Sequence, residues 1–347
     1  MADRLVGLDI SSRRLLAVEV IGSNTRHPKI SQVHSVDLPE GAARDSEVTD
    51  IPAVSNALQQ LWREGGFKTK RVVLGVGNQR VLVRDHQVPV MPMAQLREAL
   101  PYQVADLLPV PVTETILDYY PLAEVEGSDP PEMSGLLVAA IRENVEANVA
   151  AVEDAGFKVV AVDLSPFAMV RALARANQLE GTKSVVMIGD RTTFIVVATD
   201  GVPQFVRIVP AGGDTITDAI ELSAEVSFEE AEEMKYLTGL EKGLDPEFSE
   251  LSDATLGALR NIIGAVRSTN NYFLGNHPNE EIDGVVVVGR DVRVPGLVQA
   301  LGEHVQLPAV VGAPLQATKL VRDADTEVLG AFEPERAVPL GLTLGIR

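Results

Sequence analysis

The chain has 347 residues, a net charge of −19 and no cysteine, and it is long enough for two lobes with separate cores. Its acidity opposes nonspecific nucleic-acid binding and docking on anionic lipid; the lack of cysteine excludes disulfides, thiolate metal sites and a cysteine nucleophile. No apolar run approaches the ~20 residues of a bilayer span, and MADRLVGLDI lacks the basic start and long apolar core of a signal peptide, so a cytoplasmic protein without direct membrane insertion is expected.

In chain order, Val6 to Val20 (VGLDISSRRLLAVEV) reads as two apolar runs around a short polar turn, a hairpin. Lys29 to Leu38 alternates as a third strand. Ile51 to Glu64 places Val54, Leu58, Leu61 and Trp62 on one helical face, and Gly65-Gly66 stops it. Arg71 to Gly77 and Val81 to Val88 read as further strands of an α/β lobe. From Pro89 the pattern changes to a proline-punctuated block with a helix near Ala94 to Leu107 and an acidic loop at Glu124 to Met133. A strand at Leu136 to Ala140 and a helix at Glu143 to Ala155 close this block. Phe157 to Val162 and Pro166 to Ala176 then resume strand and helix.

The stretch Ser184 to Gly213 (SVVMIGDRTTFIVVATDGVPQFVRIVPAGG) reads as a three-stranded meander ending in paired glycines. It echoes the N-terminal hairpin: Asp9 aligns with Met187, Ile10 with Ile188 and Val18 with Val196. Two related meander-led lobes, or two unrelated hairpins, both give this pattern. Glycine-bearing turns of this kind can present backbone N–H groups to a phosphate. Asp214 to Ser223, Phe228 to Leu237 and Leu256 to Phe273 follow as helices. Gly284 to Gly289 is a buried strand, and Leu297 to His304 a helix. Ala337 to Arg347 suits a last helix on the first lobe. No zinc-helix histidine spacing, G-x-S-x-G elbow or G-x-x-x-x-G-K-[ST] loop is present.

In this order the motifs resemble the actin-like ATPase superfamily and, within it, the PilM family of type IV pilus assembly proteins. VGLDISSRRLLAVEV is similar to the first phosphate hairpin and VVMIGDRTTFIVV to the second. PAGGDTIT resembles the glycine loop, and VVVVGRDVRVPGL the adenosine loop. SFEEAEEMKYLTG is similar to the Ala-Glu-x-x-Lys helix beside the ribose, although a solvated charged face is the plainer reading of that helix. The block from PMAQLREAL to AMVRAL resembles the PilM insertion in particular.

The resemblance implies an α/β, actin-like (ribonuclease H-like) bilobal fold with an inserted α+β subdomain. The expected division is a first lobe over 1–88 and 157–183, the insertion over 89–156, a second lobe over 184–336, and a C-terminal segment 337–347 returning to the first lobe. Implied nucleotide contacts are Asp9, Ser11, Ser12, Gly189, Thr192, Gly212, Gly213, Glu232, Lys235 and Gly289, for ATP or ADP, with Asp9 toward magnesium.

Three departures bear on catalysis. Ser11 stands where the family has glycine, and Leu16 where it has lysine, with Arg13 and Arg14 in the turn. Met187 replaces the aspartate that would hold magnesium through water and orient the nucleophile. Arg290 and Asp291 replace glycines of the adenosine loop. The expectation is a degenerate cleft, without hydrolysis, in a scaffold that binds the cytoplasmic N-terminal segment of a PilN-like membrane protein in a groove between first lobe and insertion. Other inner-membrane pilus components are further expected partners; nucleic acid is not. An active actin-like ATPase and an FtsA-type division protein remain the alternatives. The latter family ends in an amphipathic membrane helix, whereas this sequence closes on AVPLGLTLGIR, so recruitment to the inner face of the cytoplasmic membrane is expected to pass through a partner.

Overall fold

A computed structural model describes residues 3–240, 246–320 and 333–345. Two sheets, each led by an antiparallel meander, form its framework. In the first, β1 (Arg4–Ile10), β2 (Arg14–Ile21) and β3 (Lys29–Asp37) pair antiparallel, and β1 continues parallel into β6 (Arg71–Val76) and then β10 (Lys158–Leu164). Two short strands, β4 (Ala43–Arg44) and β5 (Glu47–Val48), form a separate ladder. In the second sheet, β11 (Thr182–Ile188), β12 (Thr193–Thr199) and β13 (Val202–Val209) form the meander, and β11 pairs parallel with β14 (Gly284–Gly289), which pairs with β15 (Ala309–Val311). The equivalent placement of β1–β2 and β11–β12 is the structural form of the sequence echo.

The helices cover these sheets because their apolar residues recur on one face. In α1 (Ile51–Gly65), Asp50 caps the start by accepting from the Ala53 amide at 3.0 Å, and Gly66 ends the helix at φ 62°. Its Val54, Leu58, Leu61 and Trp62 pack against Val6, Leu8 and Ile10 of β1. The second lobe builds its core from β11, β12 and β14 with α5 (Gly213–Ala224), α6 (Phe228–Thr238), α7 (Pro246–Asn276) and α8 (Leu297–Val305).

A third sheet holds β7 (Leu82–Pro89), β9 (Glu132–Ile141) and β8 (Thr115–Glu124) in that order, with α2 (Met93–Gln103) upon it. The sequence reading put the β7 run in the first lobe; in the structure it pairs with β9 along its whole length. The reading also left α3 (Arg142–Asp154) within the insertion, yet α3 packs its Ala151 and Val152 into the α1 core of the first lobe. At the other end of the chain, β16 (Lys319–Leu320), read as second lobe, pairs parallel with β3 at the edge of the first sheet. The C-terminal helix α9 (Ala337–Leu342) lies between β1 and α4 (Ser165–Arg175). Its approach is close enough that a Cβ on Gly7 would strike the Pro339 carbonyl.

Candidate cleft between the two hairpins

The turns after β1 and β11 face each other, and side chains join them directly. Ser11 Oγ donates to Asp190 at 2.6 Å and accepts from the Arg13 and Arg14 amides at 3.3 and 3.1 Å. Arg14 reaches Asp190 at 3.5 Å and Glu335 at 3.2 Å. Arg13 donates through Nε to both Asp214 oxygens at 3.0 Å and lies 3.8 Å over the Phe228 ring. Thus three carboxylates converge on the two arginines that occupy the first turn. Desolvation, reinforced by Asp190 and only partly offset by Arg14, pushes Asp9 up to about 7.

Two amides at the start of α5 are engaged within the cleft. The Gly213 amide donates to the Gly189 carbonyl at 2.9 Å, and the Asp214 amide to the Asp190 carbonyl at 2.7 Å. Gly212 has no side chain because a Cβ there would strike the Gly189 and Asp190 carbonyls. Gly289 sits at φ 104°, and a Cβ there would strike the Ile188 carbonyl. These glycines therefore serve close packing of chain on chain.

Glu232 and Lys235 sit in a compact ion cluster. A capping box places them: Ser227 Oγ accepts from the Glu230 amide, and Glu230 accepts from the Ser227 amide at 2.9 Å, starting α6. Lys235, 1% exposed, contacts Glu232 at 2.7 Å, Asp291 at 3.1 Å and the Thr217 hydroxyl at 2.9 Å. Arg290 closes the set on Glu232 at 3.3 Å, and the Tyr236 hydroxyl donates to Asp291 at 2.7 Å. Two cations and two carboxylates thus balance in a buried space. Desolvation raises Glu232, but Lys235, Thr217 and Arg290 together outweigh it and hold its carboxyl below the usual range. Burial and the Asp291 charge push the Tyr236 phenol far up, so it remains a donor.

The remaining cavity between the hairpins, lined by Asp9, Met187, Gly189, Gly289 and Glu335 among others, holds about 40 Å³. A water molecule takes ~30 Å³ of liquid volume, whereas ligand pockets run from ~300 Å³ upward. Among the described residues there is no group of three or more His, Asp or Glu placed to hold a metal ion. In this arrangement the residues present do not fit a nucleotide with magnesium.

The predicted residues Asp9, Ser11, Gly189, Gly212 and Gly213 come together at the hairpins. Gly289 joins them, and Glu232 and Lys235 lie beside Gly213. Ser12 points elsewhere, accepting from the Asp45 amide at 2.8 Å. The Thr192 hydroxyl is buried without a hydrogen-bond partner. Sequence reasoning missed Asp214, Tyr236, Glu335 and Phe228; an acid directly after a glycine pair was the available sign for Asp214. A separate groove of about 820 Å³ lies between β7 and β13, lined by Arg84, Phe205, Arg207 and Tyr272 among others, and contains none of the predicted residues.

Comparison with known proteins fits this architecture. The chain is 25% identical over 254 residues to the cell division protein FtsA of Bacillus subtilis (strain 168), covering 67% of this chain and 58% of that protein. FtsA of Neisseria meningitidis serogroup B is 24% identical over 349 residues, covering 88% and 83% respectively. Among solved structures, a PilM-PilN type IV pilus biogenesis complex superposes with a TM-score of 0.84 at 25% identity, covering 98% of this chain and 97% of that one. MreB5 of Spiroplasma citri bound to ADP superposes at 0.55 with 13% identity over 97% and 94% of the chains, a likeness of fold alone. The model of the family described as type IV pilus assembly protein PilM matches residues 7–346. The chain has the actin-like ATPase fold and belongs to the PilM family of type IV pilus assembly proteins.

Proposed function

We propose that this chain is a scaffold of a type IV pilus assembly machine. It binds the short cytoplasmic N-terminal segment of a PilN-like inner-membrane protein and turns over little or no ATP. The observation that carries the reading is the superposition on a PilM-PilN complex over nearly the whole of both chains. The partner's groove lies between the first lobe and the insertion. Tyr120, Leu122 and Val138 of the insertion and Val149, Val160 and Ala161 of the first lobe are partly buried on one shared apolar cluster. Val162, on β10 at the edge of the first sheet, is 38% exposed. An extended apolar segment can add there as an edge strand with side chains set into that cluster.

The Met187 side chain supports the non-catalytic part. It sits on β11 opposite Phe194 and packs on the same apolar cluster, offering no hard oxygen to a metal. Hydrogen exchange on the chain with and without a peptide from the cytoplasmic end of the co-encoded membrane protein tests the reading. Protection is expected in β8, β10 and residues 107–112. Protection confined to the second lobe would reject the groove. An FtsA-type filament protein is the second reading, favoured by the FtsA matches; filaments formed with ATP and no peptide binding would support it.

A further inference from the structure

The groove of about 820 Å³ between β7 and β13 is walled by strand edges. β7 ends the order β7–β9–β8 and β13 ends the order of the second sheet, so each has one strand neighbour and one free edge. Residues 82–85 of β7 and 205–208 of β13 line the groove without a gap. Successive side chains of a strand point to opposite faces, so consecutive residues share a wall only where that wall is the edge. Each edge carries main-chain N–H and C=O groups that no strand among the described residues pairs. At Asp85 the groove meets a second hollow of about 720 Å³, bordered by His86, Gln87, Gln204 and His277 among others. The resulting trough follows residues 82–87 of β7, which is ~20 Å of extended chain at ~3.3 Å per residue.

We propose that this trough takes an extended, acidic segment of a partner protein, which adds as a strand along β7 opposite β13. The walls select that occupant in three ways. Free edges offer main-chain hydrogen bonds, which a strand satisfies and a helix, with its bonds internal, does not. Arg84 and Arg207 stand exposed, one on each wall. Arg207 donates to Ser268 Oγ at 2.7 Å, and neither arginine has a carboxylate partner. Positive charge on an edge deters a basic or uncharged strand, whereas an acidic one supplies the missing carboxylates. On a chain of net charge −19 this attraction is local to those two side chains. Asp85 is the acid among the lining residues, and His277 partly offsets its charge. Tyr272 of α7 is 55% exposed, with its ring centroid 5.0 Å from that of Phe205, and gives an apolar side chain of the segment a surface to rest on. The site does not depend on the scaffold reading, whose groove is built on β10.

Titration of the full chain with a fluorescent octapeptide of alternating glutamate and valine tests this, with an alternating lysine–valine octapeptide as control. The acidic peptide is expected to bind, more weakly as salt rises, and to slow hydrogen exchange in β7 and β13. The basic peptide is expected not to bind. Reversing both charges, Arg84→Glu with Arg207→Glu, should weaken the acidic peptide by at least about tenfold and admit the basic one. Should that variant not fold, Arg84→Gln with Arg207→Gln removes the charges alone and should weaken the acidic peptide in the same direction. Absence of acidic-peptide binding, equal binding of both peptides, or protection confined to other strands overturns the proposal. Protection of β7 and β13 that grows with protein concentration in the absence of peptide means that a second copy fills the trough, and overturns it equally. A PilN-like peptide offered to the same preparations separates the two readings. It should bind wild type and arginine variants alike, and its failure on the wild type strikes the scaffold assignment while leaving the trough to its own test.

Discussion

Asp214 feels opposing influences of unequal size. Desolvation at the start of α5 and the neighbouring Asp190 charge raise its carboxyl to about 6 from 3.8, while Arg13 and Arg191 pull the other way. A folded-state value above the unfolded one means that the native state holds the proton more tightly. The contribution of this group to stability is therefore greatest below about 4 and falls as pH rises through the folded value near 6. Asp214→Asn keeps an oxygen for Arg13 Nε but removes the titration. Relative to the wild type, the variant should be more stable at pH 8 than at pH 4, with the change concentrated between 4 and 6. Urea unfolding at a series of pH values measures this; parallel curves across the range would contradict it. Neighbouring Glu232 acts with the opposite sign, since its lowered carboxyl favours the native state above its unfolded value and loses that contribution in acid.

Elements differ in how close they come to one another, and glycine records it. A Cβ on Gly341 of α9 would strike the Ala168 carbonyl of α4, whereas one on Gly257 of α7 would meet nothing within 4 Å. Both are helical, so alanine gains ~1 kcal/mol of helix propensity at either place. At Gly341 overpacking costs ~1–3 kcal/mol and wins; at Gly257 only the gain remains. Gly341→Ala should thus lower the melting temperature and Gly257→Ala hold or raise it, as calorimetry can decide. Nothing in the residue string separates these two glycines, because the close partner of Gly341 lies far off in sequence. Other elements were legible for the converse reason. The two meanders, α1 with its Gly65-Gly66 stop and the GVVVVG strand are specified by local pattern and local chemistry. Strand β8 was missed because Pro121 interrupts its alternation, and a register shift beside that proline absorbs it on an edge strand. In the cleft, glycine turns and the Glu232–Lys235 spacing were readable. The Ser11–Asp190 and Arg13–Asp214 contacts were not, since they join residues brought together only by the facing of two lobes.

For the whole molecule, charge and apolar surface set what it can adhere to. The net charge of −19 is repelled by anionic headgroups over a Debye length of ~8–10 Å in physiological salt. Among the described residues no helix is long and apolar enough to cross a membrane. The large exposed apolar residues of the insertion, Val90, Met93, Tyr102, Leu107 and Ile116, are scattered over α2, short turns and β8. The basic residues of the first hairpin are committed internally: Arg14 bridges Asp190 and Glu335, and Arg13 holds Asp214. They are thus taken from any lipid phosphate. The proposed scaffold role assigns attachment to a bilayer to an integral partner whose cytoplasmic segment the chain holds. Expressed alone, the chain should stay out of the floated fraction with anionic liposomes at physiological salt. Co-expressed with its PilN-like partner it should move to the membrane fraction, and truncation of the partner's cytoplasmic segment should release it. Flotation of the isolated chain would reject partner-borne recruitment and favour an FtsA-type mode, in which case deletion of Val338 to Arg347 shows whether that segment carries the binding.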